Sequence, residues 1–189
     1  MKAFILSQIN RIVGVKMPPR GKKSIADVYP QWLDFEVLQT GTNIWTVEAI
    51  PLPVPRLRRE VGDQVQLIEI LKVILSPNLN EITDGSRVSL KLMTRNWESD
   101  PKEGPTTVFT VSLEPEVMGT EASHVAVEPY MYDLTDGMGH GYLVAVDTLY
   151  LGCASGGMTT PTGGSGRIYW RYVTVNLAEF MGLIQSQTG

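Results

Sequence analysis

Eight short apolar runs, rich in β-branched and aromatic residues and each closed by a turn-forming stretch, limit what this chain can fold into. The first four are "FEVLQ" (Phe35 to Gln39), "NIWTVEAIPL" (Asn43 to Leu52), "VQLIEILKVIL" (Val65 to Leu75) and "RVSLKLMTR" (Arg87 to Arg95). "TTVFTVSL" (Thr106 to Leu113), "VAVEPYMYDL" (Val125 to Leu134), "GYLVAVDTLYL" (Gly141 to Leu151) and "RIYWRYVTV" (Arg167 to Val175) follow. Several alternate with period two. Val88, Leu90 and Leu92 share one face of their run, with Ser89 and Lys91 on the other. The separators, such as "SPNLNEITDGS", "NWESDPKEGP" and "GGMTTPTGGSG", have turn and loop compositions. Thirty glycines and prolines in 189 residues favour many short elements over a few long helices. The pattern predicts an antiparallel sandwich or barrel. In "VQLIEILKVIL", Ile68, Leu71 and Leu75 also fit a helical stripe, but the β-branched content and the flanking "VGD" and "SPN" predict a strand.

The length suits one domain with a sizeable core, and 43% apolar with 19% charged residues is a globular composition. The single cysteine, Cys153, cannot form an internal disulfide, so no oxidising compartment is implied. No apolar run reaches the roughly 18 residues of a membrane-spanning helix. At the start, Arg11 and Lys16 interrupt what would have to be a continuous signal segment, so an intracellular product without membrane insertion is expected. The net charge of −4 hides an asymmetry. Residues 1–26 carry Lys2, Arg11, Lys16, Arg20, Lys22 and Lys23 and no acid, while the remainder holds ten basic and twenty acidic residues. A basic arm (1–26) on an acidic body (27–189) is a signature of contact with a polyanion, which makes these six cations the candidate nucleic-acid-binding residues; the alternative is a solvated leader or an expression remnant.

The densest group of reactive side chains is "DLTDGMGHGYLVAVD", with Asp133, Asp136, Asp147, His140 and glycines at 137, 139 and 141. It falls between two strand-like runs, which makes its first half a connecting loop. Asp133 and Asp136 are three apart and lack the distal Glu of a calcium-binding loop. Zinc needs three or four ligands, and His124, His140 and Cys153 offer no close-spaced pair. The glycines precede a strand, whereas phosphate cradling requires a helix N-terminus. Neither Ser155 nor Ser165 has nucleophile-elbow spacing, and Cys153 reads as a buried strand residue. Glu114 and Glu116, around Pro115, read as exposed acids at a strand end. No catalytic residue, metal site or cofactor is expected, and the loop acids are assigned to turn amides.

"IPLPVPRLRRE" (Ile50 to Glu60) is the other unusual segment. Alternate prolines keep it extended and remove pairing donors, so it should leave the sheet or follow an edge. Arg56, Arg58 and Arg59 project from it, as a solvated or ion-paired edge or as a phosphate contact.

"DLTDGMGHGYLVAVDTLYL", the Gly-rich loop after it, and the terminal "YWRYVTVNLAEFMGLIQSQ" resemble blocks of capsid proteins from circular, Rep-encoding single-stranded DNA viruses (circovirus-like). "VEAIPLPVPRLRRE" and "IEILKV" are similar to their first half, and the likeness runs from about Trp45 to Gln187. The resemblance implies a single jelly roll of two packed four-stranded antiparallel sheets. Many copies would close into a small icosahedral shell, the virion, around single-stranded DNA, with assembly in the host nucleus or cytoplasm. The arm departs from the family's long arginine-rich one, since only Arg11 and Arg20 are arginines, and Met17 is an alternative first residue to Met1. From another class, a small-molecule- or carbohydrate-binding jelly roll or a cupin-like protein also fits an all-β chain. A cupin would need clustered histidines, and His124 and His140 lie sixteen residues apart.

Overall fold

The computed structural model describes residues 30–53, 64–81, 85–101, 106–114 and 129–188. Among them are nine strands: β1 (Gln31–Leu38), β2 (Thr46–Pro51), β3 (Gln64–Asn78), β4 (Arg87–Met93), β5 (Thr107–Leu113), β6 (Tyr130–Asp133), β7 (Tyr142–Val144), β8 (Thr148–Gly156) and β9 (Gly163–Asn176). One helix, α1 (Leu177–Thr188), ends the chain. No helix among the described residues is long and apolar enough to cross a membrane.

The strands form two antiparallel sheets. One has the order β1-β9-β3-β6, with β7 also on β3, and the other β2-β8-β4-β5. The pairing is nested: β1 with β9, β2 with β8, β3 with β6 and β7, β4 with β5. First therefore meets last, and each following strand meets the next one in from the end, which is the winding of a jelly roll. Between the sheets lies one core, with Ile70, Val73 and Leu75 of β3, Val88, Leu90 and Leu92 of β4, Leu149 and Leu151 of β8, and Ile168 of β9 fully buried. Val88, Leu90 and Leu92 thus all point inward, as their period-two spacing predicts.

The structure differs from the sequence expectations in several places. The run Gly141 to Leu151 is two strands, because at Ala145–Asp147 the chain crosses from the five-stranded to the four-stranded sheet, and the Asp147 carbonyl accepts from the Leu52 N–H at 2.9 Å. One sheet therefore has five strands where four were expected. β9 begins at Gly163, inside the predicted Gly/Thr loop. A Cβ at Gly164 would run into the Leu90 side chain from the opposite sheet, and one at Gly166 into Phe35 and Leu75, so these glycines permit close approach within a strand. Helix α1 was not expected in an all-β chain. Asn176 caps it, its Oδ1 accepting from the Glu179 N–H at 2.8 Å, an Asn-x-x-Glu start in which Glu179 also meets the positive helix end. β2 is an edge strand ending at Pro51, in keeping with the proline-rich segment, whose Arg56, Arg58 and Arg59 lie outside the described residues.

β3 is a strand throughout, and a register shift between Ile70 and Lys72 moves its core-facing set from Ile68 and Ile70 to Val73 and Leu75, with Leu71 at the shift and outside the core. On the near side of the shift, Ile68 and Ile70 face the core while Val65 and Leu67 face outward, where Phe180 and Leu183 of α1 pack over them. Both faces of that half are covered, so apolar residues run almost continuously. At the far end of α1, Gln187 is buried and pairs with β7 as another strand would. Its Oε1 accepts from the Ala145 N–H at 2.8 Å and its Nε2 donates to the Leu143 carbonyl at 2.6 Å. This protects an edge that would otherwise invite pairing with other chains.

The outer face of the four-stranded sheet is roofed by the β4–β5 connection. Lys91 Nζ turns up into it, 2.7 Å from Asp100 and 2.5 Å from the Pro101 carbonyl. Trp45 stands over Gly152, with its Nε1 donating to the Trp97 carbonyl at 2.8 Å. Past the register shift, the outer face of the five-stranded sheet has no such roof among the described residues.

Candidate functional site

Two regions follow from this architecture: the loop Asp133–Gly141 between β6 and β7, beside β3, and the part of the outer face of the five-stranded sheet that no described residue covers.

In the loop, the acids serve the backbone. Asp133 Oδ1 accepts from the Thr135 N–H at 2.9 Å and from its hydroxyl at 2.6 Å. Asp136 Oδ1 accepts from the Met138 and His140 N–H groups, each at 2.8 Å, and its Oδ2 lies 3.2 Å from His140 Nδ1. Hydrogen bonding to Thr135 holds the Asp133 carboxyl below the usual range, and bonding to the His140 amide does the same for Asp136. Gly139, at φ +82°, closes the turn by donating to the Asp136 carbonyl at 3.0 Å. The turn-amide reading of these acids agrees with the structure. Among the described residues, no three His, Cys, Asp or Glu side chains are grouped to hold a metal ion.

The residue that anchors the loop is Glu69, buried in the middle of β3. Its Oε1 accepts from the Gly141 N–H at 2.8 Å and its Oε2 from Arg171 Nε at 2.5 Å, while Arg171 also donates to the Gly139 carbonyl at 2.9 Å. A Cβ at Gly141 would strike the Ile70 carbonyl, so only glycine lets the chain lie this close to β3. The signal available in sequence was a lone acid in "VQLIEILKVIL"; its partners lie 72 and 102 residues away.

The nucleophile candidates are placed structurally. Cys153 is buried in β8, where burial pushes its thiol up to about 12. The Ser155 hydroxyl donates to Gln39 Oε1 at 2.8 Å, and Ser165 is exposed on β9. The arm cations Lys2, Arg11, Lys16, Arg20, Lys22 and Lys23 lie outside the described residues, as do His124 and Glu116.

Across this outer face, register sets outward side chains in ladders. Trp32, Tyr169, Lys72 and Asp133 form one, and Asp34, Arg167, Ile74 and Met131 the next. Glu36, Ser165 and Ser76 make a third. In the first ladder, Lys72 Nζ stands 6.0 Å from the centre of the Tyr169 ring, and Trp32 is 64% exposed. In the second, Arg167 grips Asp34 with two parallel bonds, Nε to Oδ1 at 2.5 Å and Nη2 to Oδ2 at 2.9 Å. Small residues in the third leave an open groove of about 610 Å³ between Asp34, Glu36, Ile74, Ser76, Ser165 and Arg167. The first ladder thus carries an exposed aromatic and a cation that faces Asp133, and the other two add Asp34, Arg167 and Glu36.

No family model matches the sequence, and no curated protein matches it. Solved structures of similar outline include the VP1 protein of Trichodysplasia spinulosa-associated polyomavirus in complex with GM1 oligosaccharide. It is 12% identical, with 78% of this chain and 95% of that chain covered and a TM-score of 0.48. The VP1 protein of Merkel cell polyomavirus, in complex with 3'-sialyllactosamine, is 11% identical over 82% of this chain and 98% of that one, with a TM-score of 0.48. That of New Jersey polyomavirus is 10% identical over 77% and 100%, with a TM-score of 0.45. Likenesses this slight assign the chain neither a family nor an activity; the jelly roll rests on its own nested strand pairing.

Proposed function

We propose that this chain is a capsid protein, a subunit that assembles in many copies into a small icosahedral shell enclosing single-stranded DNA. The observation that carries the reading is β6. Its Tyr130, Met131 and Tyr132 are all exposed, and among the described residues it pairs on one side only, with β3. Tyr132 stacks on Phe109 with ring centres 5.0 Å apart yet stays half exposed, and a strand edge with three such exposed large side chains is a surface for another chain. Leu38 at the opposite edge of the same sheet is 71% exposed and fits the same role. The jelly roll and the sequence blocks that resemble circovirus-like capsids support the reading, and its localisation is the virion, with assembly in the host nucleus or cytoplasm. Residues 1–26, with six cations and no acid, supply the polyanion contact.

Sedimentation velocity on the purified protein across a range of salt and pH tests this. Large, closed particles are expected at moderate salt. Monomer or dimer under every condition would refute the proposal.

A further inference from the structure

We infer that the outward face of α1 is a docking surface for the α1 helix of a second copy of this chain, the two helices crossing about a two-fold axis. The inference rests on the capsid reading, which supplies the copies, and it adds a subunit contact apart from the β6 edge. Phe180, Leu183 and Gln187 hold one side of α1 against the sheet. On the opposite side Leu177 is 44% and Met181 50% exposed, and Ala178, Gly182, Gln185 and Ser186 are exposed with them. A helix face turned to water ordinarily carries charges. Glu179 is the only charged residue in α1, and the helical period sets it at the flank of this face. Spacing by four arranges the face as a ridge, Leu177, Met181 and Gln185, beside a groove of small residues, Ala178, Gly182 and Ser186. Gly182 has no reason within the subunit. It sits mid-helix, where glycine is a poor helix former, its φ is not positive, and a Cβ built there meets nothing within 4 Å. An apolar ridge in water and a glycine in open space are both explained by a body that approaches α1 from outside.

Shape, charge and area select a second copy as that body. In the commonest helix packing, the four-spaced ridge of each helix enters the groove of the other at about −50°. Identical helices satisfy this mutually, with Met181 of each copy over Gly182 of the other, as a two-fold contact requires. The face carries no charge, so copies of a chain with a net charge of −4 meet there without repulsion. A membrane surface would call for cations that α1 lacks. A helix of 12 residues has a footprint of roughly 18 Å by 10 Å, about 200 Å² per subunit, against roughly 800 Å² per partner in a free-standing complex. The contact is therefore too small to pair free subunits, and it forms where other contacts already hold them, as in a shell. Both ends of α1 are fixed. Asn176 accepts from the Glu179 N–H at one end, and the Thr94 hydroxyl donates to the Gln187 carbonyl at 3.0 Å at the other, so the face is presented in one orientation.

The test compares the full-length parent and its variants by light scattering over a range of protein concentrations, with urea unfolding of the dissociated subunits. Gly182→Leu should leave the urea midpoint unchanged or raise it, because leucine is the better helix former and meets open space within the subunit. The same variant should raise the concentration for half-assembly roughly 5- to 150-fold by overfilling the crossing. Met181→Lys, which sets like charges across the axis, should also impair assembly while its subunits unfold with the parent's midpoint. Gly182→Cys should give covalent dimers in oxidised particles and none in dissociated subunits. Parental assembly by both Gly182→Leu and Met181→Lys would overturn the contact and leave the capsid reading standing. Impaired assembly with a lowered midpoint in both variants would mark a role in folding alone and would overturn it too. Parental assembly by Met181→Lys, with loss of binding to phosphatidylcholine vesicles that the parent shows, would give the face to a membrane and equally overturn the contact. Absence of particles from the parent would refute the capsid reading and the contact together.

Discussion

Replacing Glu69 by alanine removes the carboxylate that ties the Asp133–Gly141 loop to the sheet. Glu69 is 3% exposed and receives two charge-assisted hydrogen bonds, from the Gly141 amide and from Arg171. Breaking a buried ion pair by deleting one partner costs about 3–5 kcal/mol. Arg171 is 32% exposed, and water can replace part of what it loses, so the lower end, about 3 kcal/mol, is expected. Glu69→Gln keeps one acceptor but turns an amide N–H₂ toward a donor, and should cost about 2 kcal/mol. Arg171→Met alone strands the buried carboxylate and should cost as much as Glu69→Ala. The double change Glu69→Leu/Arg171→Met removes both charges together and should be less damaging than the sum of the singles by about 2 kcal/mol. Urea unfolding of dissociated subunits, followed by circular dichroism, measures each value. Glu69→Ala within about 0.5 kcal/mol of the parent, or a double variant as unstable as the summed singles, would refute the anchoring role.

Gly152→Ala must push the Trp45 indole off the four-stranded sheet and break its bond to the Trp97 carbonyl; a loss of about 1–3 kcal/mol is expected, with an altered near-ultraviolet spectrum. Glu81 accepts from the Thr160 hydroxyl and from the amide and hydroxyl of Thr159, with the Thr160 bond the largest of the effects holding its carboxyl down at about 2. Its folded pKa lies below its unfolded one, so its contribution is present above the ordinary glutamate range and is lost as pH falls through about 2; an NMR titration of the Glu81 carboxyl should place the midpoint there. Cys153, with its thiol pushed up to about 12, should resist a thiol reagent at about pH 8 in the native subunit and react once urea unfolds it.

What the sequence disclosed was whatever is local. Period-two runs exposed the strands and the inward set Val88, Leu90 and Leu92. Asp133 and Asp136 were legible as turn acids because their partners lie two to four residues away. The Glu69–Arg171 anchor was not, because nothing nearby in sequence distinguishes a paired acid from an exposed one. Gly163 to Gly166 looked like loop because composition does not reveal that Val37, Leu90 and Phe35 crowd a strand there. Helix α1 did carry a local sign, Asn176 followed by Glu179, but the strand run immediately before it dominated the reading. The outer ladders depend on the register among β1, β9, β3 and β6, and in particular on the shift between Ile70 and Lys72 that brings Lys72 opposite Tyr169. A pattern search along one strand does not contain that register.

Electron cryomicroscopy of the purified full-length protein tests the central claim most directly. The account predicts closed icosahedral particles in which Tyr130, Met131 and Tyr132 of β6 are buried against a neighbouring subunit. Dispersed subunits with the β6 edge in solvent, at protein concentrations and salt where sedimentation detects no larger species, would contradict it.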